Sequence, residues 1–363
     1  MYFWINIVFN ILLFVYAFSI ERRLNNKHKV VVFYLLSIIY ILILTYRPLD
    51  TPDTLNYVEG FNSVEAGHFF RGNILHKYYG YEIGYIFLIK CFKLISNSFR
   101  LFFMMIASIG VYCTIDAMSY LYRQLYNTND WIKTQLFALY SACFGLLYNG
   151  ISVRAGLAMG LGLMFVVKAL DKKYIQAVLF IAAAVFIQRT SFLMLLVYLA
   201  ISLVPVLQKK THIIIWISIG ILLLSGLSHY ISSPINELLI KIFTTYNISG
   251  INYLVDQESL YGATDIFMWL LYGFFIIINP GLECYEKYLN AIMFGALIVL
   301  TMFGVRAISR AWDMFYLLMV PMLCLLYHRK SSVIKHLYIQ QIFVLVIVVI
   351  KSYKMMSIVF GNL

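Results

Sequence analysis

The chain has 363 residues, of which 62% are hydrophobic and 12% charged, and its net charge is +12. Soluble domains run near ~45–50% apolar and ~25% charged, so this excess cannot be folded inside one soluble core. The positive charge falls in short loops between apolar runs, which is a topology signal; with no aromatic-basic patch or recognition motif, nucleic-acid binding is excluded.

Apolar runs at 2–20 and 29–46 open the chain. The first lacks the basic leader of a signal peptide and is expected to remain as a span. Between them lies Glu21-Arg22-Arg23-Leu24-Asn25-Asn26-Lys27-His28-Lys29, the densest basic loop, which the positive-inside rule places in the cytoplasm. The stretch from Arg47 onward then faces outward. Further runs at 99–122, 131–148, 151–168, 174–187, 190–207, 211–231, 265–281, 288–304, 310–327 and 337–356 bring the total to about twelve transmembrane helices. The expected fold is an all-α polytopic integral membrane protein, a single transmembrane domain over 1–363 with outer loops at 47–98 and 232–264. Most of the cytoplasmic loops this parity predicts carry Lys or Arg, as the rule requires.

In the first outer loop, prolines 48 and 52 keep Leu49 and Thr51 extended. Asp53 can cap a short helix, which places Asp53, Tyr57 and Phe61 on one face. The segment Tyr81 to Ser98 is apolar, yet a full span there would invert every later loop. It is expected to be interfacial or re-entrant on the outer side. In the second outer loop Ser233 is a candidate N-cap with Pro234 behind it. Ile235, Leu238, Leu239, Ile242 and Phe243 then form the stripe of a helix lying on the membrane face. Cys91, Cys113, Cys143, Cys284 and Cys324 are odd in number and lack metal or CxxC spacing, so packed thiols are expected.

Five arginines, Arg47, Arg154, Arg189, Arg306 and Arg310, are all expected at the outer boundary, where the charge rule disfavours them. An arginine within a span costs roughly 2.5–3.5 kcal/mol on insertion scales. Guanidinium forks bind phosphate through bidentate, charge-assisted bonds, so the set suggests a basic cavity for a lipid-linked phosphate or pyrophosphate. The carboxylates on that side include Asp50, Asp53, Glu59, Glu65, Glu82, Asp256, Glu258, Asp265 and Asp313. Each can pair with an arginine or accept a hydroxyl proton, and the sequence leaves open which does so.

Several of these stretches resemble a known family. Asp53-xxx-Tyr57-xxx-Phe61 followed by Glu82-Ile83-Gly84-Tyr85-Ile86-Phe87-Leu88 resembles the first-loop pattern of EpsG-like, Wzy-type polysaccharide repeat-unit (O-antigen) polymerases. Asn149 to Ala158 is similar to their arginine-bearing span start, and Arg310-xxxx-Phe315-xxxxx-Pro321 resembles their late Arg, aromatic, Pro segment. Two positions depart from the pattern. Ala155 stands where the family often has Gln, and Gln188 where it often has His.

The resemblance implies a GT-C-like glycosyltransferase of the bacterial inner membrane. Such an enzyme joins undecaprenyl-pyrophosphate-linked oligosaccharide units at the periplasmic face, with no cofactor and no metal. On that reading Asp53, Glu82, Arg154 and Arg310 are the catalytic candidates, and Arg47, Tyr57, Gln188, Arg189 and Arg306 bind substrate. Its partners are the lipid-linked donor and acceptor, membrane lipid and a chain-length regulator. An O-antigen ligase differs only in its acceptor. A transporter or flippase favours mid-membrane charges and related halves, neither of which is evident. An intramembrane acyltransferase needs a buried catalytic His, whereas all seven histidines fall in loops or at span ends.

Overall fold

The computed structural model describes residues 2–51, 53–65, 80–126, 130–227, 263–301 and 313–328, with scattered helical residues between 230 and 245. Every regular element among them is helical. In chain order these are α1 (Tyr2–Val15), α2 (Asn26–Thr45), α3 (Thr54–Ser63), α4 (Ile83–Lys93), α5 (Phe99–Tyr126), α6 (Lys133–Tyr140), α7 (Val153–Leu170) and α8 (Tyr174–Ile187). Then follow α9 (Leu193–Ser202), α10 (Lys209–Ser225), α11 (Ala263–Ile277), α12 (Glu283–Thr301) and α13 (Met319–His328).

Among the described residues three helices, α2, α5 and α7, are long and apolar enough to cross a membrane, at 20, 28 and 18 residues. At 1.5 Å per residue, about 20 residues match a ~30 Å hydrocarbon core. About twelve such helices are therefore not established among the described residues. Several apolar runs are interrupted or short. Residues 131–148 divide into α6 and a π-helical segment at Ser141–Ile151, and residues 190–207 begin as a 3-10 turn at Arg189–Phe192. The run at 337–356 and most of the helix expected in 232–264 lie outside the described residues.

The chain packs as two compact units, one holding Met1–Met194 and the other Leu195–Leu337. In the first, glycines bring helix backbones together. A Cβ on Gly160 of α7 would stand 2.7 Å from the Gly110 carbonyl of α5, and one on Gly110 would stand 3.3 Å from the Leu157 backbone. Small residues at such crossings let helices gain close packing that larger side chains would prevent. Buried polar groups would be costly if left unpaired in an apolar interior, and several bond between residues 10–21 and α6 with the π-helical segment after it. Ser141 donates to Asn10 Oδ1 at 2.9 Å, Gln135 donates to the Ala17 carbonyl at 3.2 Å, and buried Glu21 accepts from Thr134 and Trp131.

Helix α4 occupies the apolar segment that follows Tyr81. Its 11 residues reach only about 16 Å, too little to cross. Tyr85, Ile86 and Ile89 are buried in one cluster with Tyr57 and Phe61 of α3 and Phe102, Phe103 and Ile106 of α5. Lys93 ties its end to α3, donating to the Val64 carbonyl at 2.5 Å with its ammonium over the Phe61 ring.

The cap expected of Asp53 is not made. Asp53 precedes α3, but its backbone is left-handed at φ 62° and its side chain forms no capping bond. An N-cap side chain works from extended backbone, and that geometry is absent here. Tyr57 and Phe61 face the core, while Asp53 is exposed.

In the second unit Trp216 of α10 and Trp269 of α11 stack with centroids 4.9 Å apart, and each indole N–H donates to the other's backbone carbonyl. Gly220 and Gly273 make room for the two rings. His212 lies at a helix end, as expected, yet it is fully buried and its Nδ1 pairs with the Tyr272 hydroxyl at 2.9 Å. All five cysteines are unbridged thiols; Cys143 and Cys324 are buried as expected of packed thiols, and Cys91, Cys113 and Cys284 are half-buried.

Candidate active site

Three chain segments converge on one ion pair. The first is the start of α7. The π-helical turn Ser141–Ile151 ends at Ser152, and Arg154 follows in the first turn of α7. The Tyr140 hydroxyl donates to Asn149 Oδ1 at 2.5 Å, pinning the two ends of this widened segment. π-Helical turns are uncommon and often occur at functional sites.

The second segment is the start of α4. Glu82 stands at its N-cap with extended backbone, but its carboxylate makes no cap. It turns instead to Arg154, whose Nη1 donates to Glu82 Oε2. The third is the break between α8 and α9. Gln188 adopts φ −150°, interrupting the helix, and the backbone N–H of Arg189 donates to Glu82 Oε1 at 3.2 Å. A glycine permits this meeting. A Cβ on Gly84 would lie 2.7 Å from the Phe186 backbone, so only glycine lets α4 approach α8 so closely.

The pair is mostly but not fully enclosed, with side-chain exposures of 12% for Glu82 and 17% for Arg154. The Arg154 guanidinium sits over the Tyr81 ring at 5.0 Å and near Tyr85 at 5.9 Å. Such faces stabilise a cation where water is scarce. Tyr81 is itself held. It stacks on Tyr57 at 5.7 Å and its hydroxyl donates to the Asn56 carbonyl at 2.9 Å.

Arg47 follows α2 and is 2% exposed. Its Nη1 donates to the Leu44 carbonyl at 3.0 Å, its Nε to Thr54 Oγ1 at 2.8 Å, and its guanidinium lies over Phe103 at 4.6 Å. Burial lowers its pKa to about 10, which still leaves it charged at neutral pH. Arg47 and Arg154 both act electrostatically on buried Tyr85. Arg47 Nη2, the Tyr85 hydroxyl and Arg154 Nε are buried without a hydrogen-bond partner.

Of the residues singled out in the sequence, the fold therefore assembles Glu82, Arg154 and the backbone of Arg189. Tyr57 supports the aromatic platform, and buried Gln188 marks the break, its amide reaching Thr190 Oγ1 at 3.4 Å. The Arg189 side chain is exposed. Asp53 is exposed, and among the described residues its carboxylate forms no ion pair with Arg154; Asp50, Glu59 and Glu65 are exposed as well. Arg306 and Arg310 lie outside the described residues. Sequence reasoning missed Tyr81 and Tyr85. Their i, i+4 spacing about Glu82 was a signal, but one that any packed helix face also produces.

A model of the EpsG family matches residues 28–360, which include every residue of this site. The chain belongs to the EpsG family. This is a family of Wzy-like polymerases, and membership agrees with the apolar helices in making the chain a membrane-embedded protein of polysaccharide biosynthesis. Searches of curated proteins and of solved structures give no match. In this EpsG-family chain the ion pair joins two of the stretches whose pattern resembled the family in the sequence, the one around Glu82 and the one around Arg154.

Proposed function

We propose that this EpsG-family protein polymerises undecaprenyl-pyrophosphate-linked oligosaccharide repeat units at the periplasmic face of the bacterial inner membrane. The fold is then GT-C-like, with about twelve spans. The acceptor hydroxyl attacks the anomeric carbon of the donor's reducing-end sugar, and lipid pyrophosphate leaves. This chemistry asks for fixed cations at the leaving group and an acceptor for the hydroxyl proton.

The observation that carries the reading is the Glu82–Arg154 pair, a carboxylate and a guanidinium held together at 12% and 17% exposure. Arg154 lies in the first turn of α7, where the helix dipole and unpaired N–H groups also favour an anion. The exposed Arg189 guanidinium is one residue from the bonded break, and the parts that the family resemblance implies for Arg306 and Arg310 fall on residues outside those described. Arg47 and Tyr57 support the cavity wall.

Deletion of the gene tests the reading. Surface polysaccharide should then carry a single repeat unit, with the ladder of longer chains gone. Complete loss of capped chains would point to a ligase or a flippase instead. An Arg154→Ala variant that inserts normally should also lack the ladder, and wild-type chain lengths from it would overturn the phosphate-cavity reading.

A further inference from the structure

Glu82 occupies the very group that the proposed reaction needs for its leaving pyrophosphate. From this arrangement we infer that Glu82 is a resting-state latch on Arg154, and that the arriving lipid pyrophosphate displaces it and so creates the general base. The inference rests on the polymerase reading above and assigns an order of events within that same site.

The two carboxylate oxygens are held unequally. Oε1 accepts from the Arg189 backbone N–H at 3.2 Å, a bond that the chain itself positions. Oε2 is bonded to Arg154 Nη1. Arg154 in turn has a support independent of Glu82, because the Tyr81 ring lies beneath its guanidinium. Its Nε is buried and has no partner. A guanidinium presents five N–H donors in a planar fork. One carboxylate oxygen therefore uses only part of it.

A pyrophosphate offers several oxygens and more charge, and it can take up more than one of the terminal guanidinium N–H groups at once. It outcompetes the carboxylate at Arg154, while the backbone N–H of Arg189 continues to hold Oε1. Oε1 stays anchored, and Oε2 becomes available in place. When the acceptor hydroxyl arrives, its proton passes to Oε2 as its oxygen forms the new bond to the anomeric carbon. The bond from that carbon to the pyrophosphate oxygen breaks, and the leaving group takes the electron pair under the charge of Arg154. The base is thus exposed only when a donor is bound, which protects the site from an idle charged carboxylate.

The test separates binding from turnover in full-length protein. Binding of geranylgeranyl pyrophosphate, and separately of inorganic pyrophosphate, is measured on detergent-purified wild type, Glu82→Gln and Glu82→Asp. The same variants are scored for the glycan ladder in a strain lacking the wild-type gene. Removing the competing charge should tighten geranylgeranyl pyrophosphate binding by roughly 5- to 30-fold in Glu82→Gln. Ladder synthesis by that variant should fall by about 10²–10⁴-fold, the range for loss of a general base. Glu82→Asp, which keeps a base but shortens its reach to Arg154, should bind tighter than wild type and retain part of the ladder. Unchanged or weaker binding in both variants overturns the latch, and a wild-type ladder from Glu82→Gln overturns the base. A gain confined to inorganic pyrophosphate overturns the assignment to a lipid-borne group. Failure of the underlying reading looks different, since the gene deletion would then leave the ladder intact or remove capped chains altogether.

Discussion

Replacing Gly84 with alanine should misplace Glu82 without altering a charged atom. The added Cβ would stand 2.7 Å from the carbonyl carbon and oxygen of Phe186, where ordinary contact begins near 3.4 Å. Both obstructing atoms are backbone, so α4 must withdraw from α8 by about 0.7 Å. Glu82 lies two residues away and moves with it. The Arg189 N–H bond then opens from 3.2 Å to about 3.9 Å, beyond hydrogen-bonding range. Overpacking and the loss of a bond to a charged group together cost about 2–4 kcal/mol. Thermal unfolding of detergent-purified protein should show a Tm lower by about 5–10 °C. Ladder synthesis should fall about 100-fold, as it does for a displaced catalytic group. Gly150→Ala is the control, because its Cβ meets only the flexible ends of Leu146 and Leu44 at 3.1 Å and they can yield. A Gly84→Ala protein with wild-type Tm and ladder would refute the claim that this close approach seats Glu82.

Three further variants probe other parts of the fold. Arg47→Met removes the donors to the Leu44 carbonyl and Thr54 Oγ1 and should lower stability by about 2–3 kcal/mol, read as a fall in Tm. Trp216→Phe deletes one of the two reciprocal indole bonds and should cost about 1–2 kcal/mol in thermal unfolding. Burial raises the Glu21 carboxyl above its usual range, against the smaller opposing effect of its bonds to Thr134 and Trp131. Its folded-state pKa therefore exceeds the unfolded value of about 4.3. Glu21 thus contributes stability that is fully present below that value and is lost as pH rises through the raised one. The Tm difference between wild type and Glu21→Gln should shift against wild type from pH 4 to pH 7. A pH-independent difference would show that Glu21 is not desolvated.

Hydropathy and charge are properties of short windows, and they were legible without a fold. The membrane class follows from composition. The α8 helix at Tyr174–Ile187 coincides with the apolar run at 174–187, and the apolar segment after Tyr81 forms a helix of 11 residues. The family pattern around Glu82 and Arg154 was likewise visible in the sequence and marked two residues that the fold does join.

Pairing was not legible. Glu82 is 72 residues from Arg154 and 107 from Arg189, and nothing local tells one acidic residue of the first loop from another. Asp53 carried the better motif, yet a left-handed backbone leaves it exposed. The π-helical path into Arg154 was equally hidden, because hydrogen-bond register within a helix leaves no mark on an apolar pattern. Sequence alone thus determined the membrane class and the family. Tertiary structure decided which carboxylate meets which arginine, because that depends on how closely three helix ends approach, and one glycine at position 84 sets the spacing of two of them.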